Sequence, residues 1–287
     1  MPQLVHKPKR KALLIAAGAL GLVAFGALSG AIILLSGAYS TAATTQHFKV
    51  THQVLDAGLR LSVRASARHV RAPDLDRPGM LARGVACFRT HCVQCHGAPG
   101  VAPIPAARGM LPIASNLTQT AREWPPEWLY YVTRKGVRMT GMPAWEMRID
   151  EDDLWATVSF LTRLPVLTRE QYRRLATRAE DLTCRTPTGV PFEGSREYAK
   201  VIFRQYACHS CHRIEGVVGP RAHIGPSLLE WSRRKFVAGV LPNDERNLIR
   251  FIRDPERVKP GSLMPRLEVT EAHAREMARY LLDEGAR

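Results

Sequence analysis

From Ala12 to Leu35 the chain runs for 24 residues without a charge. At about 1.5 Å per helical residue this is enough to span a hydrocarbon core of about 30 Å. Lys7, Lys9, Arg10 and Lys11 precede it, and no acidic residue occurs before Asp56. A basic flank of this kind keeps the N-terminal end in the cytoplasm and sends the rest outward. The small residues Ser40-Thr41-Ala42-Ala43 would suit a leader peptidase. The apolar run is nevertheless longer than the roughly 7–15 residues of a leader core, so a retained anchor over 12–38 is the preferred reading.

A second pattern follows. Val50, Val54, Ala57 and Leu61 recur at i, i+4, i+7 and i+11, interleaved with Arg60, Arg64, Arg68 and Arg71. This predicts a helical stem within 39–71, lying on the next domain or near headgroups and ended by Pro73.

From there the pattern runs twice. Gly79 to Phe88 reads as a helix, and a Pro-, Gly- and Ala-rich loop extends to Pro112. The aromatic residues Trp124, Trp128, Tyr130 and Tyr131 come next. Asp150 then caps a helix with Leu154, Trp155, Val158 and Leu161 on one face and Pro165 at its end. The second round opens with a Ser195-capped helix carrying Tyr198, Val201, Ile202 and Gln205. It continues through Gly219-Pro220 and Gly225-Pro226 to a helix near Leu248–Arg253 that stops at Pro255. Thr270 caps a last helix with Ala274, Met277, Ala278 and Leu281 inside. Between the rounds, a charged helix over Arg169–Glu180 and the stretch Thr183–Pro191 read as a linker. The expected architecture is mainly α, an internal duplication behind an N-terminal transmembrane helix. Its parts are a basic tail (1–11), the anchor (12–38), the stem (39–71), domain 1 (72–166), a linker (167–190) and domain 2 (191–287).

Each round contains the same chemical motif. Cys92-Val93-Gln94-Cys95-His96 is echoed 116 residues later by Cys208-His209-Ser210-Cys211-His212. C-x-x-C-H is the spacing for covalent attachment of a c-type haem. Two thiols one turn apart reach the two vinyl groups, and the adjacent imidazole reaches the iron. His96 and His212 are therefore the expected proximal ligands. Met142-Pro143 lies 46 residues beyond His96, and Met264-Pro265 lies 52 beyond His212. Proline stiffens each loop, so Met142 and Met264 are the expected distal ligands. Met139 and Met110 rival Met142, and His223 is the bis-His rival in the second round. His91 and His209 read as packing or surface residues.

Net charge is +15 with a pI of about 10.1, which suits acidic protein partners or anionic lipid. No nucleic-acid motif accompanies it. Four of the six cysteines belong to the haem motifs, leaving Cys87 and Cys184. In an oxidising compartment these can pair, and a buried free thiol is the alternative.

Both rounds resemble class I c-type cytochromes, in which terminal helices cross beside a haem held by His and Met. Met139-Thr140-Gly141-Met142-Pro143-Ala144-Trp145 looks like the ligand loop of bacterial mono- and dihaem cytochromes. Gly225-Pro226-Ser227-Leu228, Ala238 to Asn243, Ile252 to Pro255 and Lys259 to Pro265 look like the cytochrome c domain fused to subunit II of some haem–copper oxidases. That subunit's dinuclear-copper segment and its second transmembrane helix have no counterpart here. The resemblance implies that the Pro226 carbonyl accepts the Nδ1 proton of His212, and that Pro112 does so for His96.

The implied cofactors are two covalently attached haem c groups with no open coordination site. The implied role is electron transfer in a respiratory chain, with no substrate chemistry of the protein's own. Expected partners are redox proteins: a terminal oxidase, a quinol-oxidising complex or a dehydrogenase. The expected location is the inner membrane with the haem domains periplasmic; neither nucleic acid nor a small-molecule substrate is expected. A cytochrome subunit of a periplasmic dehydrogenase complex would show the same haem chemistry. A dihaem peroxidase would need one displaceable distal ligand, against which the two Met-Pro loops argue.

Overall fold

The computed structural model describes residues 8–189, 193–220 and 224–283. Its chain divides into two compact units, Met1–Ala57 and Gly58–Arg287. The first contains α1 (Pro8–Leu35), within which Lys11–Leu35 is long and apolar enough to cross a membrane. The stem forms α2 (Lys49–Ser66), continued by a 3₁₀ turn at Ala67–His69.

The periodicity placed the stem helix but not its packed face. Val50, Val54 and Leu61 are exposed, whereas Val63 and Ala67 are buried, with Leu59 half-buried. Arg60 shares the packed side, bonding Glu123 at 3.0 Å and lying over the Trp124 ring. A charged residue whose stem covers an aromatic surface is invisible to an apolar count.

In the second unit, α3 (Met80–His91) crosses α8 (Glu151–Arg163) in the most extensive helix pairing of the fold. Their backbones meet at Gly84, where a Cβ would come within 1.9 Å of the Ala156 carbonyl oxygen. Phe88 packs on Phe160 at the same crossing. Asp150 caps α8 as expected, accepting from Asp152 N at 3.1 Å, and all four predicted inner residues of α8 are buried. Between these helices lie α4 (Val93–His96), α5 (Pro105–Arg108), α6 (Leu117–Glu123) and α7 (Pro126–Lys135). Tyr130 of α7 stacks on Trp155 at 4.0 Å.

The segment read as a linker is, in its described part, fastened to this half. Its helix α9 (Arg169–Arg178) buries Tyr172, and Arg89 of α3 donates to the Ala176 and Glu180 carbonyls. Cys87 and Cys184 form a disulfide. Arg185 pairs with the fully buried Asp153 at 2.9 Å. Charge and Thr/Pro/Gly composition suggested a tether because the few anchoring residues are widely spaced.

The second half repeats the plan with α10 (Arg196–Gln205), α11 (Glu245–Arg253), α12 (Pro255–Val258) and α13 (Glu271–Leu282). Ser195 and Thr270 cap α10 and α13 through Tyr198 N and His273 N. The predicted inner stripe of α13 is buried. Phe203 meets Tyr280 edge-on at 5.6 Å where α10 and α13 pack. A small hairpin of two-residue strands, β1 (Phe236–Val237) with β2 (Leu241–Pro242), pairs antiparallel and has no counterpart among the described residues of the first half.

Candidate functional site

Helix α3 delivers the chain directly to the first motif. Cys95 N and His96 N both donate to the Cys92 carbonyl, at 3.1 and 3.0 Å, so the two thiols and the ring leave a single turn. In the second motif Cys211 N and His212 N make the same pair of bonds to the Cys208 carbonyl, at 3.2 and 3.0 Å. All four motif cysteines are free of disulfides. Burial, helped by the neighbouring motif cysteine, raises the Cys92 thiol to about 12. Burial also raises Cys208, to about 11. These surroundings oppose a thiolate but accommodate a neutral thioether.

Each motif histidine is oriented by one carbonyl. His212 Nδ1 lies 2.8 Å from Pro226 O, as the resemblance implied. His96 Nδ1 lies 2.8 Å from Ser115 O, not from the expected Pro112. The loop after α5 passes the ring three residues later, where Ser115 directly precedes Asn116, the cap of α6. A carbonyl only accepts, so each Nδ1 carries the proton and each Nε2 keeps its lone pair for a metal. Burial also holds His96 below the ordinary imidazole value, although the Ser115 bond acts in the opposite sense.

Space adjoins both rings. A cavity of about 400 Å³ is lined by His96 with Val101, Pro103, Leu117 and Leu164. Another, of about 430 Å³, is lined by His209, His212, Ile214, Val217 and Leu229. Gly225 lies against the His212 ring so closely that a Cβ would meet Cε1 at 2.4 Å. The imidazole donors and the neutral thiols suit a covalently held haem, beside cavities whose walls are part apolar and part polar.

The methionine loops are well tied, but neither Met142 nor Met264 lines these two cavities. Met142 is half-buried; its amide donates to Thr140 Oγ1 at 3.1 Å and its carbonyl accepts from Val137 N at 3.2 Å. A Cβ on Gly136 would press on Pro143 and on the Met142 carbonyl, which keeps this turn tight. Its rival Met139 is 89% exposed, and Met110 lies near Gly141. Met264, also half-buried, donates its amide to Ser262 Oγ at 3.2 Å. Lys259 Nζ fastens this loop to the hairpin through the Ala238 carbonyl at 3.0 Å. His223 lies outside the described residues.

His91 packs on Trp145 with ring centroids 5.1 Å apart. The Nδ1 atom of His209 is buried without a hydrogen-bond partner among the described residues. Sequence reasoning missed Ser115, whose role depends on the loop's path, and Arg148, whose partner Gln205 lies far along the chain.

Comparison with known proteins agrees with the chemistry. The family described as "Cytochrome C oxidase, cbb3-type, subunit III" matches residues 79–161, the stretch from α3 through most of α8. Three curated proteins, each called cytochrome c oxidase subunit 2, are also similar. The protein of Alkalihalophilus pseudofirmus is 35% identical over 75 residues, 26% of this chain and 21% of its own. Those of Bacillus sp. PS3 and Bacillus subtilis are 31% and 32% identical over 80 and 79 residues, covering 26% and 25% of this chain and 22% of each relative. The chain thus spans about a fifth of the length of the curated relatives it matches. No solved structure matches it. A c-type cytochrome domain is present in a mainly helical chain, and such a domain implies haem c and electron transfer.

Proposed function

We propose that this protein is a membrane-anchored dihaem cytochrome c that moves electrons within a respiratory chain and delivers them to a terminal haem–copper oxidase. The observation that carries the reading is the repeated histidine site: in both halves a C-x-x-C-H turn presents an imidazole whose Nδ1 is held by a loop carbonyl at 2.8 Å. Haem c bound there supplies a one-electron iron couple. Cys92 and Cys95, and Cys208 and Cys211, would hold the two groups through thioether bonds. His96 and His212, with Met142 and Met264, would be the protein ligands of the two irons. Each methionine would raise the reduction potential and leave no site for substrate.

The two domains are taken as 72–166 and 191–287, with 167–190 between them. The helix α1 retains the protein at the inner membrane with both domains in the periplasm, where the Cys87–Cys184 disulfide is stable. The similarity to oxidase subunits supports the choice of acceptor.

The test is haem quantitation with a potentiometric titration of the purified protein. Two haems per chain, both low-spin and at clearly positive potential, are expected. Losing one low-spin signal in Met142→Ala and the other in Met264→Ala would assign each ligand. A single haem, or a high-spin centre that turns over peroxide, would overturn the reading.

A further inference from the structure

The 3₁₀ turn Trp145–Met147 and the residue after it leave the first half and enter the second. Met147 is 1% exposed and packs in the second half's core, where its Sδ accepts from Tyr198 Oη at 3.2 Å. Arg148 Nη2 donates to the Gln205 carbonyl at 2.7 Å, while Nη1 reaches Gln205 Oε1 and the Ala144 carbonyl, both at 3.3 Å. Gln205 ends α10, so the cation sits at a helix C-terminus, where the dipole favours it. The guanidinium also lies over the ring of Tyr206, 6.0 Å from its centroid. Tyr206 in turn bonds His273 Nδ1 at 2.9 Å.

These contacts join the two haem motifs. Tyr206 stands two residues before Cys208. On the other side, Trp145, three residues before Arg148, packs on His91, which directly precedes Cys92. One turn therefore touches the residue ahead of the first motif and grips the residues ahead of the second.

We propose that Arg148 is the positioning residue of the junction, holding the second haem motif at a fixed separation from the first through the Gln205 carbonyl and the Tyr206 ring. Met147 supplies an apolar anchor and Arg148 a forked, oriented one, a geometry that lysine cannot reproduce. The inference rests on the dihaem reading. Its functional consequence falls on electron exchange between the halves. One electron leaves a ferrous centre and reduces a ferric one, with no bond made or broken and no proton moved.

The test compares Arg148→Ala and Arg148→Lys with the wild-type holoprotein. Pulsed-EPR distances between the two ferric centres report the positioning, and pulse radiolysis reports the internal exchange rate. Arg148→Ala should keep both low-spin haems, broaden the distance distribution and slow exchange by about tenfold, as displaced reacting centres do. Arg148→Lys should fall between, and it serves as the probe if the alanine variant does not accumulate. Unchanged distances and rate in a variant holding both haems would overturn the proposal. Should the wild type carry a single haem, the dihaem reading fails on its own. Hydrogen exchange over 204–208 then decides the junction: faster exchange in Arg148→Ala supports it, and unchanged exchange overturns it.

Discussion

In the first half, the helix pair is closed by contacts that tolerate little change. Gly84 lets the α3 and α8 backbones touch, the Cys87–Cys184 disulfide ties α3 to the chain beyond α9, and Asp153 is fully buried. Desolvation works against the Asp153 carboxylate, but its bonds to Arg185 and the charges of Arg185 and Arg83 outweigh it and hold the group below the usual carboxylate range. The second half has a buried carboxylate of its own, Glu276, paired with Arg279 at 3.3 Å, beside hydrogen bonds between neutral side chains. Tyr206 meets His273, and Asn243 accepts from Trp231 Nε1 at 2.9 Å while its own amide donates to the Trp231 and Arg234 carbonyls. The two halves thus differ in covalent closure: reductant threatens the first alone, while acid acts on buried groups in both.

The largest expected effect follows from the disulfide. It closes a loop across a sequence separation of 97 residues. By the chain-entropy account, a cross-link of that length contributes about 4.7 kcal/mol. The Cys87→Ala/Cys184→Ala variant, or gentle reduction, should lower the unfolding midpoint of the first half while the second keeps its own. Hydrogen exchange resolved along the chain reads the difference. Equal loss in both halves would erase the comparison.

Acid should act on both halves, and on the second through His273. Burial first, and the charge of Arg148 second, lower His273 to about 4 from the ordinary 6.5. The groups facing it are the Tyr206 hydroxyl and the Arg148 guanidinium. Below 6.5 the unfolded chain takes up a proton that folded His273 refuses until about 4. This contribution is therefore whole above 6.5 and lost progressively as the pH falls to about 4. The loss over that window is about 3 kcal/mol. His91, also held low by burial and by Arg148, titrates in the same direction in the first half. The decisive readout is thus the slope of second-half stability against pH that His273→Gln removes.

The pattern of apolar and capping residues disclosed much of this molecule, because its signals are local. The caps Asp150, Ser195 and Thr270 and the inner stripe of α13 need only their own helix. So does the C-x-x-C-H turn. What stayed hidden depends on contacts between distant segments. The stem's packed face runs through Leu59, Val63 and Ala67 because Arg60 and the α6 surface select it over the more apolar stripe. Tyr172 and Cys184 bind a segment that reads as a tether, since a single aromatic and a single thiol leave no periodic trace. Ser115 replaces Pro112 because the length of a loop, and not its proline, brings a carbonyl to His96.

The smallest expected effect is also the most local, and it separates the two histidine sites. A methyl added at Gly225 would fall 2.4 Å from Cε1 and 2.6 Å from Nδ1 of His212, closer than atoms can stand. The ring must tilt, and its bond to Pro226 O must lengthen. In the first half the residue before the accepting carbonyl is Ala114, so a methyl is already accommodated there. Gly225→Ala should cost about 1–2 kcal/mol of overpacking. On the proposed dihaem reading, because the orienting bond tunes ligand basicity, it should shift the potential of the haem at His212 and leave that at His96 unchanged. Ala114→Gly should move neither. A Gly225→Ala protein with both potentials at their wild-type values would mean that the ring of His212 is set by the iron and the thioethers alone, and the carbonyl bond would then be a consequence of ligation and not its guide.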